Sequence, residues 1–150
     1  MPTRSDIVSK AREYLGTPFL HQGRVKGKAL DCVGLILCVA EELGLNDVDG
    51  NLLLRTSYVD YSPQPAGRYV HDQCRERLQI KPILNLLPGD VVTLRLPDNP
   101  THTCIVGEIE GQGLSLIHCY NGGNNVCIEH RMDNRWQRRI VGAFCFPGVD

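Results

Sequence analysis

Two segments near the start of the chain repeat apolar residues at helical spacing, three and four positions apart. The apolar positions are Ile7, Ala11, Tyr14 and Leu15 in the first segment and Val33, Ile36, Val39, Ala40 and Leu43 in the second. This spacing predicts a helix over residues 6–15 with Ser5 as its N-cap. It predicts a second helix that begins at Cys32, after an Asp31 N-cap, and stops at Gly44.

The second half of the chain changes from helical spacing to the alternation typical of strands. After a third predicted helix over residues 67–78, segments rich in valine and isoleucine follow. They lie at residues 89–96, 103–109, 114–120, 126–130 and 139–146, between turn signals such as PDNP, EGQG and NGGN. Residues 46–65 favour an irregular segment. Helices followed by strands predict an α+β fold with an antiparallel sheet.

Length and charge narrow the classes of function. The chain has 150 residues, which suits a single domain over residues 1–150. Sixteen basic residues face 17 acidic ones, for a formal net charge of −1, so we expect no nucleic-acid partner. The apolar runs are shorter than the roughly 20 residues of a membrane span, and the N-terminus lacks the apolar core of a signal peptide. We therefore expect no membrane partner, and synthesis in the cytoplasm without a signal peptide.

Seven cysteines, with no CxxC pair, argue against a disulfide framework and favour reduced thiols. Cys32 differs from Cys38 in the same apolar run because it lies in the first turn of the predicted helix. Free backbone N–H groups and the helix dipole there favour a thiolate and can donate to an oxyanion. We therefore expect a lowered pKa at Cys32 and consider it a candidate nucleophile.

A nucleophilic cysteine needs a general base, and two histidines lie on neighbouring predicted strands. His102 opens "HTCIV" and His118 lies near the end of "LSLIHCY". They share one face of the sheet if the hairpin is centred on Gly111, which pairs residue 102 with 120 and 104 with 118. Cysteine, histidine and an orienting polar residue together follow the logic of a thiol-peptidase triad.

The segments "LGTPFLHQGR", "LDCVGLI", "LPGDVV", "HTCIV", "LIHCY" and "RRIVGAFCFP" resemble the NlpC-type cell-wall cysteine peptidases, above all the single-domain branch of phage tails and gene-transfer particles. The resemblance implies a papain-like α+β fold with N-terminal helices packed on an antiparallel sheet. It implies Cys32 as nucleophile, His102 as base, His118 as its orienting partner and Asp31 as a substrate contact. The implied activity is hydrolysis of peptidoglycan stem peptides next to D-glutamate, without metal or cofactor, and phage-tail or particle proteins are the implied partners.

Two positions depart from the family pattern. Val33 replaces a serine after the cysteine, and Phe19 replaces the tyrosine of a "GTPY" block. Phe19 lacks the hydroxyl expected to point at the nucleophile. Gln22 can supply a side-chain N–H in its place, so that Phe19 and Gln22 join Asp31 as candidate substrate-binding residues.

Other classes of function use some of the same residues. A zinc site could draw on His102, Cys104, His118 and Cys119, but adjacent His118 and Cys119 point to opposite faces of a strand. Another thiol enzyme on this scaffold, such as an N-acetylmuramoyl-L-alanine amidase, a transpeptidase or a thioesterase, would use the same triad. The third alternative is a catalytically silent tail component, and the intact cysteine and histidines argue against it.

Overall fold

A computed structural model describes residues 1–58, 61, 69–96, 102–120 and 125–149. The helices are α1 (Arg4–Arg12), α2 (Cys32–Leu43), α3 (Tyr69–Arg77) and α4 (Asn134–Gln137), and a 3₁₀ turn covers Ile83–Asn85. The strands are β1 (Arg24–Val25), β2 (Ala29–Leu30), β3 (Gln79–Lys81), β4 (Val91–Leu94), β5 (His102–Ile109), β6 (Gly113–Cys119), β7 (Cys127–Arg131) and β8 (Ile140–Cys145). Within these residues, no helix is long and apolar enough to cross a membrane.

Helix α2 has the predicted bounds and caps. The Asp31 side chain accepts a hydrogen bond from the Gly34 N–H, and Gly44 ends the helix with a left-handed backbone at φ 67°. The predicted N-cap of α1 is wrong, because Thr3 and not Ser5 caps that helix. Thr3 and Asp6 form a capping box in which each side chain accepts from the backbone N–H of the other.

Six antiparallel strands form the main sheet in the order β3-β8-β4-β5-β6-β7. The predicted α+β class is confirmed, and all five predicted strands are present with shifted ends. Strand β3 and the separate β1-β2 hairpin were not predicted. Much of the predicted loop at 46–65 is irregular, although residues 59, 60 and 62–65 of it lie outside the described part.

The hairpin of β5 and β6 has the register that was the condition for bringing His102 and His118 together. Ile105 pairs with Ile117 and Ile109 with Gly113, so the three-residue loop is centred on Gly111. Gly111 and Gly113 adopt φ of 78° and 88°, a left-handed region that glycine enters without strain. The register places His102 and His118 on one face of the sheet.

In the part of the chain that the structure describes, buried side chains form two clusters. The first joins α1 and α2 to the sheet through residues such as Ile105 and Ile117. The second contains Cys104 and Leu116, with Trp136 packed against it. Because side chains alternate along β5, Thr103 and Ile105 share one face while His102 and Cys104 share the other.

Candidate active site

Cys32 is the first residue of α2, and its neighbours organise the helix start. Asp31 accepts hydrogen bonds from two backbone groups of the first turn, the Gly34 N–H at its side chain and the Leu35 N–H at its carbonyl. The N–H groups of Cys32 and Val33 remain in that turn to stabilise an oxyanion. Cys32 as a whole residue is half-buried.

The predicted lowering of the Cys32 pKa is wrong in direction. Burial raises the pKa of the Cys32 thiol to about 11, and the negative charge of Asp31 adds to the rise. Hydrogen bonds from Thr103 and the Val33 backbone act in the opposite direction and are outweighed. The resting nucleophile at neutral pH is therefore a thiol and not a thiolate.

His102 and His118 lie side by side, as the register requires. His102 Nε2 is 2.7 Å from His118 Nδ1, and both rings are buried. Burial lowers the pKa of His102 to about 3 and that of His118 to about 2, and neighbouring histidines add to both shifts. The pair is neutral at pH 7, so His102 can accept a proton.

A third histidine extends this pair. His118 Nε2 is 2.8 Å from His130 Nε2, and His130 Nδ1 is 2.9 Å from the backbone oxygen of Arg131. The His118 ring stacks on Tyr120 at 4.8 Å between centroids and meets the edge of Trp136 at 5.2 Å. These contacts hold the His118 ring in place and exclude water from it.

Thr103 connects the cysteine to the histidine strand. Its Oγ1 donates to the Cys32 carbonyl at 3.1 Å, which anchors the start of α2 beside the start of β5. Among the described residues, no hydrogen bond joins the Cys32 thiol to His102, and His102 Nδ1 makes none either. Catalytic hydrogen bonds are often long before substrate binds, and Nδ1 is the nitrogen left to receive the cysteine proton.

Asp31 lies at the centre of a polar network next to the nucleophile. One carboxylate oxygen accepts from Arg24 Nη1 at 2.8 Å as well as from Gly34, and the other accepts from the Gln22 backbone N–H at 2.8 Å and from the Tyr61 hydroxyl. All four donors belong to the protein, so Asp31 supports the helix start. A substrate contact by Asp31 stays a prediction.

The other two predicted substrate-binding residues have different surroundings. The Gln22 side-chain amide donates to the Tyr61 carbonyl at 3.1 Å, so an oxyanion would have to displace that bond. Phe19 is half-buried against the first cluster, and a backbone bridge pairs it with Leu30, two residues before Cys32. Roles for Phe19 and Gln22 in binding stay predictions.

His102, Cys104 and His118 can each offer one atom to a metal ion, and these atoms lie within 4.8 Å of one another. Cys119, the fourth residue of the zinc hypothesis, lies in the first cluster and its thiol donates to the Leu30 carbonyl at 3.2 Å. The hydrogen bond between the two imidazoles already occupies the nitrogens that face each other. Burial also raises the pKa of Cys104 far above its usual range, which opposes the thiolate that a metal requires.

A small apolar cavity lies beside the first turn of α2. Val33 and Thr103 form its wall nearest Cys32, and Tyr58, Val70 and Cys74 line it further out.

Sequence reasoning missed several residues that shape this site. They are Tyr61 in the Asp31 network, Thr103 beside Cys32, and Tyr120, His130 and Trp136 around His118. The alternation of β7 contained a usable signal for one of them. His130 lies opposite Leu116, on the same sheet face as His118.

Comparisons with known proteins give the class of the fold. No protein-family profile matches the sequence, and no curated protein matches it. Among solved structures, a NlpC/P60 family protein from Bacillus cereus superposes with a TM-score of 0.66 at 16% identity, over 97% of this chain and 40% of the other. The NlpC/p60 domain of the peptidoglycan hydrolase SagA superposes with a TM-score of 0.56 at 19% identity, over 97% of this chain and 100% of the domain.

A third neighbour, NlpC1 from Trichomonas vaginalis, has a TM-score of 0.63 at 16% identity and is covered over 45% of its length. The chain thus spans less than half of two of these proteins. Its fold is that of the NlpC/P60 proteins, and the predicted papain-like α+β fold is confirmed.

Proposed function

We propose that this protein is a peptidoglycan hydrolase of the cysteine-peptidase type, with Cys32 as nucleophile and His102 as general base. The observation that carries the proposal is the 2.7 Å bond between His102 Nε2 and His118 Nδ1, on the strand whose Thr103 anchors the Cys32 carbonyl. The site therefore has a cysteine at a helix start, a histidine base and a second histidine that orients the base, which are the three roles of a thiol-peptidase triad. The fold of a peptidoglycan hydrolase domain supports the substrate class.

The first half of the reaction forms a thioester. The Cys32 sulfur attacks the scissile amide carbonyl while its proton passes to His102 Nδ1, because the resting groups are a thiol and a neutral imidazole. The resulting oxyanion accepts hydrogen bonds from the Cys32 and Val33 N–H groups. His102 then protonates the leaving amine, the C–N bond breaks, and the acyl group stays on sulfur.

The second half returns the enzyme to its starting state. His102 Nδ1 takes a proton from water, whose oxygen attacks the thioester carbonyl. The C–S bond breaks, the thiolate regains the proton from His102, and the acid product leaves. His118 keeps the His102 ring oriented in both halves.

The bond we propose as the substrate lies within the stem peptide, between D-glutamate and the following diamino acid. Val33 in place of serine removes one hydroxyl that could anchor a free substrate amine. We therefore expect sugar-linked stems to be cut at least as well as free peptides. Association with phage tails or gene-transfer particles stays a prediction.

Mass analysis of digested sacculi tests the proposal. We expect release of peptides that begin with the diamino acid, while L-alanine and D-glutamate stay on the sugar. Cys32→Ala should release nothing, and Cys145→Ala, a matched change at a half-buried thiol on β8, should act as the unmodified protein does. Release of whole stem peptides would instead identify an amidase, and strict preference for free tri- or tetrapeptides would overturn the inference from Val33.

A further inference from the structure

The three histidines form a chain that ends on a group with only one possible hydrogen-bonding role. His130 Nδ1 is 2.9 Å from the backbone oxygen of Arg131. A carbonyl oxygen only accepts, so the His130 proton must be on Nδ1. In a neutral imidazole the other nitrogen, Nε2, is then an acceptor.

The proton position on His130 determines the proton positions on the other two rings. His130 Nε2 accepts from His118, so His118 carries its proton on Nε2, 2.8 Å away. His118 Nδ1 is consequently an acceptor and receives the Nε2 proton of His102 at 2.7 Å. His102 Nδ1 is left with a lone pair, which is the form that a general base needs.

We propose that His130 is a positioning residue for the general base, because it sets the proton positions of His118 and, through it, of His102. The inference rests on the proposed function for its effect on catalysis, but the proton positions can be measured without a substrate. The opposite arrangement, with His118 donating from Nδ1, would put the His102 proton on Nδ1 and block transfer from Cys32.

The packing around His130 fits a fixed ring. Trp136 lies against it with 4.6 Å between ring centroids, and the Arg139 guanidinium covers the same indole at 4.8 Å. Asp133, the N-cap of α4, accepts a hydrogen bond from the Trp136 N–H and so fixes the start of the helix that carries this indole. His130 itself is half-buried, and its ring borders solvent at the outer end of the row of three histidines.

Nitrogen NMR of the three imidazoles tests the proposal directly. Long-range proton–nitrogen correlations at about pH 8, where an unperturbed imidazole is neutral, report which ring nitrogen carries the proton. We expect protons on Nε2 of His102 and His118 and on Nδ1 of His130. A proton on Nδ1 of either His102 or His118 would overturn the proposal that His130 sets their proton positions.

Two variants separate orientation from packing. His130→Gln keeps an oxygen that can accept from His118, whereas His130→Phe keeps a ring against Trp136 without an acceptor. We expect mixed proton positions on His102 and a 5- to 10-fold lower turnover, roughly the value of one hydrogen bond, for His130→Phe at unchanged KM. His130→Gln should stay within about twofold, and so should Arg135→Ala, an exposed control on α4.

Each outcome decides a separate question. If His130→Phe has the same proton positions and the same turnover as the unmodified protein, the proposal is overturned. If that variant does not fold, the NMR spectrum of the unmodified protein decides. The expected proton positions in a protein that does not cut peptidoglycan support the role of His130 and refute the proposed function. Peptidoglycan cleavage by a protein with the proton on His102 Nδ1 would support the proposed function and refute the role of His130.

Discussion

Replacing Asp31 with asparagine separates its two effects on the site. The Arg24 and Asp31 side chains are only 10% and 5% exposed and pair at 2.8 Å. Breaking a buried ion pair by removing one charge costs about 3–5 kcal/mol, because the remaining charge is uncompensated. Asparagine caps a helix about as well as aspartate, so the bond from the Gly34 N–H should survive. We therefore expect Asp31→Asn to lower the free energy of unfolding by about 3 kcal/mol, near the lower end of that range.

The same substitution should change the nucleophile in the opposite sense. The Asp31 charge raises the pKa of Cys32, so its removal should lower that pKa and make the thiol more reactive at neutral pH. Asp31→Asn is thus expected to be less stable but easier to alkylate at Cys32. Arg24→Met should also be destabilising, and the double variant should lose less than the sum of the two, since no lone charge remains.

Urea unfolding of the four proteins measures the stability effect, and the pH dependence of iodoacetamide labelling measures the thiol. A loss below about 1 kcal/mol in Asp31→Asn would place the pair among exposed ion pairs and refute its structural role. An unchanged or higher Cys32 pKa would refute the electrostatic reasoning even if stability falls.

Three further predictions concern the reacting groups. His102→Ala should lower turnover at least about 10²-fold and His118→Asn less, since asparagine can still hydrogen-bond; equal losses, or a larger loss at His118, would reverse the two roles. Alkylation of Cys32 should be about tenfold faster per pH unit from pH 6 to 10. The reason is that burial raises the pKa of Cys32 to about 11 and lowers that of His102 to about 3, which disfavours a thiolate–imidazolium pair. Fast labelling that does not depend on pH would contradict this. Phe19→Tyr should raise turnover up to about tenfold, for one added donor worth roughly 1 kcal/mol, without loss of stability, whereas no change or a decrease would mean that another donor serves the oxyanion.

The parts of the site that could be predicted depend on local signals. Asp31, Cys32 and Gly44 mark the bounds of α2 because an N-cap, an apolar period and a C-terminal glycine all lie within one segment. The sequence also stated the condition for placing His102 beside His118, a turn centred on Gly111, because a single turn determines the register of the hairpin.

The parts that could not be predicted depend on contacts between distant segments. The β1-β2 hairpin consists of two-residue strands, too short to show alternation. Arg24 and Tyr61 meet at Asp31 only after the chain has folded around α2. The pKa of Cys32 was predicted from the helix start alone, whereas burial by its neighbours outweighs that effect.

Mapping of a trapped acyl-enzyme tests most directly whether Cys32 is the nucleophile of a peptidoglycan hydrolase. The protein is incubated with sugar-linked stem peptide, quenched in acid to preserve the thioester, digested and analysed by mass spectrometry. We predict that the acyl half of the stem is attached to the peptide containing Cys32, and that Cys32→Ala forms no adduct and releases no fragment. An adduct on another cysteine, or fragment release by Cys32→Ala at the rate of the unmodified protein, would contradict the assignment.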